Sequence, residues 1–307
     1  MRIALKVDVD TYRGTLDGVP RLLALYDRFN VKATFLFSLG PDHTGRAIRR
    51  VFRPGFLSKV QRTSVTSHYG YTTLMYGVLL PGPHIGRKAG HVMQQVKRAG
   101  HEVGVHCYDH VRWQDFVTKR GQKWTQREMV RAYDAFINSV GCKPTTLGAA
   151  GWQVNPCALA LEERLGFKYA SDVRGERPFY PDLGGVPSQC LQIPTTLPTL
   201  DELIGVDGIT EENVHEIIFD RSRQHLPDGH VYTLHAELEG QKLLPTMEKL
   251  LTRWQDAGDE LVTVQAFYQQ LDLEQIPTKK VIMREIPGRS GVLATEENAD
   301  FLAGSGV

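Results

Sequence analysis

Strand and helix alternate along almost the whole of this chain, and no other feature restricts its fold so tightly. "MRIALKVDVD" alternates with a period of two and predicts a strand from the first residues. "DGVPRLLALYDRFN" follows with Leu22, Leu23, Leu25, Tyr26 and Phe29 at helical spacing, and "VKATFLFSLG" is a buried strand closed by Gly40. The rhythm returns as helix "HVMQQVKRAG" before strand "HEVGVHCY", and as "TQREMVRAYDAFINSVG" before "TTLGAA". In the latter helix Thr125 and Glu128 predict a capping box, and Gly141 the stop. "PCALALEERLG" leads to "FKYASDV", "TEENVHEIIFDRSRQH" to "HVYTLHAEL", and "LLPTMEKLLTRWQDAG" to "ELVTVQAF". About seven strands separated by helices predict a parallel α/β architecture, closed or nearly closed, because parallel neighbours need crossover connections. In such folds chemistry gathers at the C-terminal ends of the strands.

Two segments depart from this rhythm. Residues 43–101 contain no Asp or Glu, yet carry ten basic residues, among them Arg46, Arg49, Arg50, Arg53, Lys59 and Arg62. Within about residues 42–90 these alternate with apolar side chains, in "IRRVFRPGFLSKVQR" and "YGYTTLMYGVLLPG", which predicts a basic amphipathic insertion facing a membrane surface or an anionic ligand. A solvated basic face over ordinary core helices is the blander alternative. From about residue 276 to 307 the chain turns polar and Gly-rich and reads as a mobile tail, leaving residues 1–275 as the domain.

Bulk properties narrow the setting. A formal net charge of +1 gives no reason to expect nucleic acid as a partner. The four cysteines form no C-x-x-C pair and no secreted-type framework, so reduced thiols in a cytosolic protein are expected. The N-terminus is charged too soon for a signal peptide, and no apolar run approaches a spanning helix.

Four strand ends carry chemistry. "VDVD" places Asp8 and Asp10 on one strand face. "GVH" ends at His106, with His110 about one turn further on if the chain coils there. "FKYASDV" ends near Asp172 and "VYTLHAE" near His235. Asp10, His106 and His110 together offer three N/O ligands and leave positions open, the composition of a catalytic rather than a structural site for one divalent metal ion. Two His and one Asp admit Zn, Co, Ni, Mn or Fe.

"VDVD", "HCYDH" and "TLHAE", in that order over a series of βα units, resemble the polysaccharide deacetylase family of carbohydrate esterases, the NodB homology domain. The resemblance covers roughly residues 1–275 and implies a deformed (β/α) barrel that removes N- or O-acyl groups with a divalent metal. It implies Asp8 as general base, Asp10, His106 and His110 as metal ligands, His235 as general acid, and Asp172 as the aspartate that tunes His235. Departures are also visible: Val9 separates the two aspartates, and Leu147 stands where the family supplies an Arg to pair with the base. Arg174, in "SDVRG", is the expected substitute cation.

Further stretches narrow the resemblance: "VDVDTYRGT", "LFSLGPD", "HEVGVHCYDHVRWQ", "AAGW", "SDVRGERPF", "QIPTTLPTLDELIG" and "VYTLHAELEG". They are similar to the branch that deformylates 4-deoxy-4-formamido-L-arabinose linked to undecaprenyl phosphate. That branch implies a polyprenyl-phosphate-linked sugar as substrate, formate and an amino sugar for lipid A as products, and polymyxin resistance as the outcome. It places the protein at the cytoplasmic face of the inner membrane, held peripherally through the basic insertion. Two other readings stand beside it: a metal-dependent deacetylase of a soluble or polymeric amino sugar, and an inactive barrel that binds a lipid-linked sugar. Trp152 is expected either to stack on the sugar or to pack in the core, and Glu237 either to sense the sugar amine or to serve as a buried structural partner.

Overall fold

The computed structural model describes residues 1–47, 71–289, 291–297 and 299. Much of the predicted basic insertion, residues 48–70, lies outside the described residues. At the centre is β1 (Arg2–Val9), buried along nearly its whole length. It pairs in parallel with β2 (Thr34–Ser38), with β8 (His230–His235) and, through its first residues, with β9 (Glu260–Val262). Beyond β2 the sheet continues through β3 (Glu102–Cys107), β4 (Thr146–Leu147), β5 (Tyr169–Ala170) and β7 (Leu191–Gln192). The order is β7-β5-β4-β3-β2-β1-β8, with β9 beside β1, and all pairings are parallel. This is the deformed (β/α) barrel expected, with β7 as an eighth strand that the sequence pattern did not show.

The two ends of the sheet approach each other without a ladder. Thr196 and Leu197 donate their backbone N–H groups to the Val231 carbonyl at 3.1 and 3.3 Å, and the Thr195 and Thr233 hydroxyls lie 2.7 Å apart. Outward-facing residues of β1 and β2 (Leu5, Val7, Phe35, Phe37) join the helices in the main apolar core. The inward faces of β1 and β2 mix apolar residues such as Ala4 and Leu36 with the polar Lys6, Asp8, Thr34 and Ser38. Near the N-terminal end of the strands the Glu102 carboxylate accepts from the Thr34 and Tyr169 hydroxyls and from the Gln265 N–H, tying β2, β3, β5 and the helix Val264–Gln269 together.

The helix Gln122–Val140 begins three residues before the expected box, capped at Gly121, and Glu128 turns to Arg112, Arg127 and Arg131 instead. A capping box does form elsewhere, between Thr199 and Glu202 ahead of the short helix Leu200–Leu203.

The expectation of a mobile tail is corrected over residues 276–289 and 291–297. There β10 (Thr278–Lys279) pairs with β6 (Tyr180–Pro181), and β11 (Val281–Glu285) forms a hairpin with β12 (Val292–Glu296). The Arg174 backbone donates to the Ala294 carbonyl at 2.9 Å and accepts from the Glu296 N–H at 3.0 Å. Ile286 and Leu293 pack on Trp152. A polar, Gly-rich sequence is ordered here because its few apolar residues meet a distant surface. Residues 300–307 lie outside the described residues.

Candidate metal centre and catalytic site

Alternation along β1 carries Lys6 and Asp8 into the barrel on one face, with Asp10 just beyond the strand end. On β3 the same alternation brings in His106. The chain then turns at Asp109, whose carboxylate accepts the Arg112 N–H at 3.0 Å and so caps the helix His110–Phe116. Asp109 is thus the turn residue that starts the helix on His110, and its other oxygen lies 2.6 Å from His43 Nδ1.

The three expected ligands meet. His106 Nε2 lies 3.2 Å from Asp10 Oδ1 and His110 Nε2 3.2 Å from Asp10 Oδ2, while the two imidazoles stack with centroids 5.4 Å apart. One donor atom from each residue falls within 4.8 Å of the others, so the group could hold a metal ion. The donor set fits: two imidazole nitrogens and a carboxylate suit a first-row divalent ion, and Asp10 Oδ1 is buried without a hydrogen-bond partner. Burial alone would raise the Asp10 carboxyl, but His110 and His106 outweigh it and hold it well below the usual range.

Glu237 holds Asp10 in place. Its Oε1 accepts from the Asp10 N–H at 3.0 Å, the Thr11 N–H at 2.7 Å and the Thr11 hydroxyl at 2.8 Å. A Cβ at Gly14 would fall 1.9 Å from that oxygen, so the loop tolerates only glycine there as packed. Glu237 is therefore a buried structural partner, and burial pushes its carboxyl well above the usual range.

Asp8 and His235 are register partners on adjacent strands, so the expected base and acid rise from neighbouring positions on one rim. Asp8 Oδ1 lies 3.9 Å from His106 Nδ1 and has no hydrogen bond, whereas Oδ2 lies 3.6 Å from Lys6 Nζ. The backbone N–H of His235 donates to Glu239 Oε2 at 2.9 Å, and burial lifts the Glu239 carboxyl to about 7 against the pull of His235.

Two expected residues stand elsewhere. Asp172 is fully buried, accepting from the Ala149 N–H and from Gln192 Nε2 at 2.9 Å, and these bonds tie it to the segment after β4 and to β7. Near His235, Glu239 accepts that residue's backbone N–H and Asp8 is its register partner on β1. Arg174 pairs with Glu202 at 2.6 Å and donates to the Thr195 and Leu197 carbonyls at 3.3 and 3.1 Å. The cation paired with Asp8 is Lys6, which the sequence reading passed over although its parity with Asp8 and Asp10 was visible. Trp152 is buried among cations, with Lys6, Arg174 and Arg289 at 5.3, 5.1 and 4.8 Å from its ring. It packs the interior.

Comparisons with known proteins give the family and the fold. The polysaccharide deacetylase family profile matches residues 3–170. A Shewanella sediminis protein named as a 4-deoxy-4-formamido-L-arabinose-phosphoundecaprenol deformylase is 40% identical over 297 residues, covering 95% of this chain and 94% of its own length. A Wigglesworthia glossinidia brevipalpis protein of the same name is 32% identical over 285 residues, covering 92% and 98%. Among solved structures, one described as a polysaccharide deacetylase from Mycobacterium smegmatis superimposes with a TM-score of 0.62 at 18% identity, over 93% of this chain and 94% of that one. On its sequence, its barrel and its clustered Asp and His side chains, the chain belongs to the polysaccharide deacetylase family.

Proposed function

We propose that this protein hydrolyses the N-formyl group of undecaprenyl-phosphate-linked 4-deoxy-4-formamido-L-arabinose, releasing formate and the free 4-amino sugar. The chemistry rests on one observation, the placement of Asp8 and His235 in register beside the Asp10–His106–His110 cluster. The substrate rests on the name of the relative that is 40% identical over 95% of the chain. The amino-sugar lipid formed would serve lipid A modification, and through it resistance to polymyxin.

A divalent ion held by Asp10, His106 and His110 would supply Lewis acidity toward the acyl oxygen and toward water. Asp8 takes the proton from the water that adds to the formamide carbon. Its Oδ1 is the oxygen left without a partner for this task. As the C–N bond breaks, His235 gives a proton to the departing sugar nitrogen, so that amide and water become formate and amine. Glu239, bonded to the His235 backbone, keeps that residue at the rim. A second role for Asp8, orienting the ligand histidine, would require its oxygen to close the 3.9 Å to His106 Nδ1.

Mass spectrometry of the lipid product tests the reading, with metal-reconstituted wild type, Asp8→Asn and His235→Ala side by side. Loss of CO mass with wild type alone is expected, Asp8→Asn keeping its metal. An inert formamido-lipid beside a deacetylated soluble amino sugar would refute the substrate assignment. Loss of metal in Asp8→Asn would make Asp8 the orienting group rather than the base.

A further inference from the structure

Lys6 is a lysine at a place where a lysine is costly. It sits in the middle of β1 and is fully buried, with Trp152 over its ammonium. An ammonium withdrawn from water is strongly disfavoured unless its protons are taken up. Here Nζ donates to the Ser171 carbonyl at 2.9 Å and lies 3.6 Å from Asp8 Oδ2. Asp172 adds a second negative charge from the β5 side, and Arg174 is the like charge nearby. The Trp152 face, 5.3 Å away, meets the ammonium as an aromatic quadrupole does.

The consequence lies in what this does to Asp8. One carboxylate oxygen faces the ammonium and the other has no hydrogen bond. Because Lys6 and Asp8 project from the same strand two residues apart, their relative placement is set by the backbone of β1 itself.

We propose that Lys6 is the positioning residue of the hydrolysis: it holds Asp8 Oδ2 and so aims Oδ1 at the attacking water, while Ser171 and Asp172 hold Lys6. The inference rests on the reading of Asp8 as base, and it gives Asp172 a task that needs no contact with His235. A structural lysine filling the barrel would instead matter for stability alone.

The test is a double-mutant cycle on metal-reconstituted full-length protein with the formamido-lipid, reading kcat, KM, metal content and melting temperature. Lys6→Met removes the charge at similar length and is expected to lower kcat about 100-fold, the scale of a misplaced general base, with KM and metal content unchanged. Lys6→Arg is expected to restore most of the loss. In an Asp8→Asn background, Lys6→Met is expected to cost nothing more. Wild-type kcat in Lys6→Met beside a dead Asp8→Asn would overturn the proposal, and so would losses that multiply in the double variant. Full activity in Asp8→Asn would instead remove the base reading beneath it. If Lys6→Met does not fold, Lys6→Gln, which keeps a donor for Ser171, takes its place. A crystal structure of the variant decides independently of substrate: an Asp8 carboxylate in its wild-type orientation would overturn the proposal.

Discussion

Single side chains in this barrel do work out of proportion to their visibility in the sequence. One Glu237 oxygen takes three hydrogen bonds and fixes the backbone that presents Asp10. His101, remote from the site, accepts the Ala33 N–H at 3.1 Å and packs against Tyr26 and Phe35. Burial, reinforced by Lys32, lowers its pKa from 6.5 to about 4. The unfolded chain therefore takes up this proton first as pH falls, and the stabilisation from the neutral ring, complete above 6.5, is lost progressively toward about 4. His101→Gln keeps an acceptor and removes the titration. The melting temperature of wild type minus that of His101→Gln is expected to shrink by several degrees between about pH 7.5 and pH 4.5; a constant difference would contradict this.

Among the elements, the C-terminal hairpin is the one whose role is least expected from its composition. Arg289, in the turn between β11 and β12, donates to Glu202 at 2.7 Å and to the Thr199 hydroxyl at 2.8 Å, joining a buried network with Arg174. The hairpin therefore closes the charge balance around Trp152 as well as covering its apolar face. Arg289→Ala leaves Glu202 to Arg174 and is expected to cost about 2 kcal/mol in urea denaturation, the scale of hydrogen bonds to a charged group. An unchanged midpoint would mean that Arg174 satisfies Glu202 unaided.

On the scale of the whole molecule, charge is unevenly placed: a net of +1 conceals the acid-free run over residues 43–101. Val78 and Leu79 stand exposed within that run, Leu79 to 77%. Among the described residues no helix is long and apolar enough to cross a membrane. We therefore expect the protein to co-sediment with phosphatidylglycerol-containing vesicles at low salt, to be released at about 0.5 M salt, and to ignore zwitterionic vesicles. Indifference to lipid charge would leave the basic run as a solvated face.

The sequence by itself determined the strand–helix order and the shared face of Asp8 and Asp10, because strand periodicity is a local property of the backbone. It also determined the His106–His110 pair, four residues apart across a strand end and a helix start. The tertiary structure alone decided that β1 lies between β2 and β8, which sets Asp8 beside His235 despite their separation along the chain. It decided as well that Lys6 lies beside Asp8, that Glu239 accepts the His235 backbone N–H, and that residues 278–279, 281–285 and 292–296 are strands. These outcomes depend on which groups burial forces together across distant segments, and a buried charge takes whichever opposite charge the packing brings within reach.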